Sequence, residues 1–111
     1  MLKLAALAIF WREITVLEQS TPDVETELKF KVAFKRLPAE QLAQRTSPDA
    51  TESVNDFLAN VIADWQGVAD ESGEPLAYSA NNLRYVLSVP GMSQLLFARY
   101  LTEVGNLREK N

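Results

Sequence analysis

The sequence predicts an α+β fold, an N-terminal β-hairpin over about residues 8–36 packed on a bundle of about four helices over about 38–108. Two periodicities and the composition carry that expectation. Leu28, Phe30, Val32 and Phe34 alternate with Lys29, Lys31 and Lys35, with Ala33 the neutral exception, which is the two-residue period of a strand with one apolar face. Val54, Phe57, Leu58, Val61, Ile62 and Trp65 instead recur at i, i+3, i+4, i+7, i+8 and i+11, one stripe of an α-helix. At 111 residues and 47% apolar content, the chain is the size of one domain, 1–111, with enough apolar side chains for one core.

The elements follow in order. Leu4 to Trp11, behind Lys3, resembles a signal peptide in flavour. Arg12 and Glu13 follow where a small-residue cleavage site would be needed, so we read the segment as folded protein. Ile14 and Val16 alternate with Glu13 and Thr15, and Ser20-Thr21-Pro22-Asp23 supplies turn chemistry before the lysine-bearing strand. A two-stranded hairpin is marginal alone, so its apolar face must lie on the helices.

A short helix is expected from about Pro38 to Arg45, with Leu42 as its anchor. Ser47-Pro48-Asp49 then marks the start of the strongest helix, with Glu52 three residues after Asp49 as in a capping box, and the stripe runs to Trp65. Gln66-Gly67 stops it. Asp70-Glu71-Ser72-Gly73-Glu74-Pro75 reads as an acidic surface loop with short extended pieces around Val68 and Leu76. Ser79 caps a helix carrying Leu83, Val86 and Leu87, and Pro90-Gly91 ends it. Pro90 can also open the last helix, expected from about Pro90 to Leu107.

Composition narrows function. Without cysteine there is no disulfide scaffold, thiol nucleophile or thiolate metal site. Without histidine, the usual general base and commonest metal ligand is missing. A formal charge of −4, from 15 acidic and 11 basic residues, argues against a nucleic-acid partner. Nothing approaches the roughly 20 apolar residues of a membrane span. We therefore expect a soluble cytoplasmic protein that is not an enzyme and needs no cofactor or metal.

Three constellations test that expectation. Asp64, Asp70, Glu71 and Glu74 could suggest a metal or paired-carboxylate site, but the loop lacks the length and closing ligand of a calcium loop. Gly67, Gly73 and Gly91 fit neither phosphate-binding glycine pattern. Lys29, Lys31 and Lys35 could face an acidic partner, or form a solvated face that blunts edge pairing.

The last helix is apolar on more than one side. Phe97, Tyr100, Leu101 and Val104 form one stripe, Leu95 and Leu96 project elsewhere, and Met92 adds a third direction. Its second neighbour is either more of the same core or another chain. Trp11 raises the same question, because it points away from Phe10. Trp11, Leu95, Leu96, Phe97, Tyr100, Leu101 and Val104 are accordingly the candidate partner-binding residues.

Trp65-Gln66-Gly67-Val68, Asp70, Gly73-Glu74-Pro75-Leu76, Ser79, Asn82-Leu83, Pro90-Gly91, Tyr100 and Lys110-Asn111 occur in an order that resembles the tail assembly chaperones of siphophages and related prophages. Phe34-Lys35-Arg36-Leu37 followed by Pro38-Ala39-Glu40 is similar to their N-terminal half, whereas Met1 to Trp11 is more apolar than that family's pattern. The resemblance implies a protein that coats the tape measure protein, recruits major tail tube subunits in the host cytoplasm and leaves the finished tail. It also implies that Glu109-Lys110-Asn111 could mark a translational slip site. A structural tail completion or terminator protein retained in the virion is the alternative, and a small carboxylate-dependent hydrolase a third. Self-association through the apolar helix or a hairpin edge is compatible with any of them.

Overall fold

The computed structural model describes residues 1–110; Asn111, the last residue of the ordered resemblance, lies outside them. After a 3-10 turn at Leu4–Leu7, strands β1 (Ile9–Thr21) and β2 (Val24–Lys35) form the expected antiparallel hairpin. Helices α1 (Ala39–Arg45) and α2 (Val54–Val61) follow, then a third strand, β3 (Ile62–Gln66), and helices α3 (Ala80–Leu87) and α4 (Met92–Glu103). The sheet order is β1-β2-β3, so β2 is central and β1 an edge. The α+β architecture holds, with a three-stranded sheet in place of two strands.

The helix expected to run to Trp65 stops at Val61. Ile62 takes extended dihedrals, φ −89° and ψ 122°, and pairs with Phe34, while Trp65 pairs with Val32. The register shifts between Ala33 and Phe34, a bulge on β3. Residues three apart on a regular strand face opposite sides, but one extra residue restores them to the same side. Ile62 and Trp65 thus both enter the core at a spacing that also fits a helix.

The N-cap of α2 also differs from the expected one. Ser53, not Ser47 or Asp49, caps α2, its Oγ accepting from the Asp56 N–H at 3.1 Å. Ser47-Pro48-Asp49 instead forms a turn closed by the Ala50 N–H on the Ser47 carbonyl. Glu52 is drawn away to Arg45, with N–O distances of 2.7 and 2.8 Å. At the other junction Ser79 caps α3 as expected, accepting from the Asn82 N–H at 3.0 Å. Pro90 does not open α4; Gly91 is the cap residue, at φ 91°, and α4 ends at Glu103 rather than Leu107.

The core joins the inner sheet face to α2, α3 and α4. Tyr100, fully buried, stands at its centre, with Phe34 and Phe57 rings at 5.4 and 5.5 Å. Its hydroxyl donates to the Lys35 carbonyl at 2.8 Å, so burial leaves no polar group unmatched. Only the base of the hairpin is covered. Beyond Val16 on β1 and before Phe30 on β2 every residue is exposed, including Leu28, which the alternation had assigned to a buried face. Ala33 is buried, between its cross-strand partners Trp11 and Asp64. Because β2 is central, Lys31 and Lys35 do not guard an edge; they and Lys29 are exposed on the outer face.

Candidate partner-binding site

The residues expected to meet a partner divide into two sets. Leu96, Tyr100 and Val104 are enclosed, which corrects their assignment to a binding surface, because side chains that fill the core cannot also meet another chain. Phe97 is half-buried against Phe57, ring to ring at 5.4 Å. The buried face of α4 is therefore Leu96 and Tyr100, continued by Val104 at its C-cap, whereas Leu101 lies outside it. Trp11, Leu95 and Leu101 remain exposed. Leu95 lines a small cleft with Ile14, Thr15 and Ala98, to which neither Trp11 nor Leu101 contributes.

A larger and more apolar concavity lies elsewhere. It is an open groove of about 450 Å³ between the projecting half of the hairpin, the 67–76 loop and the junction of α3 with α4. The hairpin supplies Val16, Leu28 and Phe30; the loop supplies Val68 and Leu76; α3, α4 and the turn between them supply Tyr85, Val86, Val89 and Met92. Its volume is within the roughly 300–1,000 Å³ typical of clefts that seat ligands or side chains.

Local chemistry builds each wall. Gly67 turns the chain out of β3 at φ 82°, and a Cβ there would meet the Phe30 backbone at 3.5 Å. The loop is then pinned. Trp65 donates its indole N–H to the Leu76 carbonyl at 2.7 Å, and Tyr78, edge-on to Trp65 at 5.1 Å, donates its hydroxyl to the Ile62 carbonyl at 2.7 Å. Short extended pairing appears where expected, with the Leu76 N–H on the Val68 carbonyl and an Ala69–Pro75 bridge.

The acidic lip is also organised by its own backbone. One Asp70 carboxylate oxygen accepts from the N–H groups of Ser72 and Glu74, at 2.9 and 3.0 Å, which shapes the tight turn. Glu71 accepts the Tyr85 hydroxyl at 2.7 Å, a bond that holds the phenol pKa above its ordinary value. Among the described residues no group of three or more acidic, His or Cys side chains is placed to hold a metal ion. No helix of the described residues is long and apolar enough to cross a membrane.

Comparison with protein-family models, curated proteins and solved structures finds no match to the chain. The groove is the candidate that geometry supplies, with apolar side chains on three sides. The sequence held a partial signal for it. Val89, between α3 and the Pro90-Gly91 turn, and Leu28, at the outer end of the alternating strand, are apolar but exposed. Their convergence depends on β3, which turns the chain back beside the hairpin and was hidden in the helical spacing.

Proposed function

We propose that the chain is a tail assembly chaperone, a binding protein without catalytic chemistry that holds apolar helices of the tape measure protein and recruits major tail tube subunits in the host cytoplasm. The observation that supports this best is the open apolar groove. Exposed apolar surface of this kind carries a free-energy cost that cover by a partner removes, at roughly 25 cal/mol per Å². The ordered resemblance from Trp65 onward gives the partner class, and many of its residues build the groove. Trp65 and Gly67 set the loop, Val68 and Leu76 line the wall, and Pro90-Gly91 shapes the α3–α4 corner.

A helix presenting apolar side chains at i, i+3 and i+4 would suit a groove with apolar walls on three sides. Co-expression with the adjacent large, helical, tape-measure-like reading frame tests the proposal. That protein is expected to be insoluble alone, and soluble and co-purifying with this chain. If it remains insoluble in both cases, the proposal is wrong.

A further inference from the structure

Outside the groove, the most exposed apolar side chains lie at the start of the chain. Leu2 and Leu4 are 73% and 74% exposed, and the 3-10 turn has no buried residue. The charged side chains in residues 1–12 are Lys3 and Arg12, both positive, and Arg12 is already paired with Glu103 at 3.0 Å. The segment is therefore apolar and cationic. The groove is its complement: apolar walls, with Asp70 and Glu71 on one lip. Lys29 on the facing lip lies 3.7 Å from Glu27, which offsets its charge.

In the structure the two surfaces do not meet within one chain, since none of residues 1–8 lines the groove. Arg36 fixes the base of the segment: its Nε–H donates to the Leu7 carbonyl at 3.0 Å, its backbone N–H donates to the Ala8 carbonyl, and a terminal guanidinium N–H reaches the Val104 carbonyl. Leu4 and Leu2 are three and five residues from that anchor, reaches of about 10 and 17 Å. Val16 and Leu28, which pair across the hairpin at the groove, lie seven residues along β1 from Ile9, about 23 Å at roughly 3.3 Å per residue.

We infer that the groove of one chain receives residues 1–4 of a second copy, with Leu2 and Leu4 against the wall formed by Leu28 and Val89, and Lys3 beside Asp70 and Glu71. Such a contact joins two different surfaces, so each pair retains one free segment and one free groove for further copies. It follows from the segment and the groove themselves and does not depend on which partner protein the groove serves. A partner helix and a second copy would compete for the same walls.

Sedimentation velocity on the full chain over a range of micromolar concentrations tests the inference. Leu4→Asp and Val89→Asp alter only exposed positions, and unchanged thermal midpoints and circular dichroism identify them as folded. Leu2→Asp and Leu28→Asp are the replacement pair if either is not. The unaltered chain is expected to gain mass with concentration, and each variant to remain monomeric. An equimolar mixture of the two variants is expected to form a 1:1 heterodimer and nothing larger, because one retains its groove and the other its segment. Lys3→Glu should weaken self-association about two- to five-fold, the scale of one exposed ion pair. A monomeric unaltered chain, undiminished association in either folded variant, or a mixture that stays monomeric would each overturn the inference. These outcomes read association between copies of this chain, whereas co-expression reads binding to a different protein, so the two can fail separately.

Discussion

Tyr100 shows how one side chain serves both packing and polar closure. Its ring contacts Phe34, Phe57 and Phe10, and its hydroxyl reaches the Lys35 carbonyl where β2 ends. Burial pushes its phenol pKa up, so the proton needed for that bond stays in place at neutral pH. Tyr100→Phe keeps the ring but leaves the carbonyl unmatched, and should cost about 1–2 kcal/mol in urea unfolding with an unchanged slope. Glu103 is the corresponding point for charge. It accepts from Arg12 on β1 and Arg99 on α4, both at 3.0 Å, and the Arg12 hydrogen bond leads the causes that lower its pKa. A carboxylate with a lowered folded-state pKa stabilises above its unfolded value, about 4.3, and loses that contribution as pH falls through the folded value. Glu103→Gln should therefore be less stable by about 0.5–1 kcal/mol at pH 7, with the difference closing below about pH 4. A gap that persists in acid would assign the effect to packing instead.

At the scale of elements, β3 decides the shape of the molecule. It turns the chain from α2 back along β2, and Gly67 then releases it into the loop that walls the groove. Gly67→Ala places a Cβ on a left-handed backbone close to Phe30, so a loss of about 1–2 kcal/mol is expected in thermal or urea unfolding. The same strand marks the limit of what the sequence disclosed. The hairpin, the Ser79 cap and the existence and order of the four helices were legible, because each rests on local pattern and turn chemistry. The end of α2 was not, since a bulge lets Ile62 and Trp65 share a face at three-residue spacing and so imitates a helix. Similarly, Glu52 fits a capping box in sequence, yet in the fold it pairs with Arg45 across the turn between α1 and α2. The buried face of α4 was mis-set by one neighbour: Leu96 rather than Leu101 joins Tyr100 and Val104, four residues apart along one stripe.

Across the whole molecule, the hairpin is longer than the helical layer that covers it. Its base seals the core, while its outer half stands free and forms one side of the groove with the 67–76 loop and the α3–α4 corner. The candidate site was only partly visible in the sequence for this reason: surplus apolar surface could be inferred, but its location depends on three elements far apart along the chain. Exposure alone does not separate the groove from other surface, since Leu101 and Val89 are 41% and 52% exposed. Their placement does, and a comparison of the two gives the most direct test. The helical tape-measure-like protein would be co-expressed with the unaltered chain, with Val89→Asp and with Leu101→Asp, and its soluble yield measured. Rescue is expected from the unaltered chain and from Leu101→Asp, and a loss of most of it from folded Val89→Asp. Full rescue by Val89→Asp, or loss only with Leu101→Asp, would contradict the assignment of partner binding to the groove.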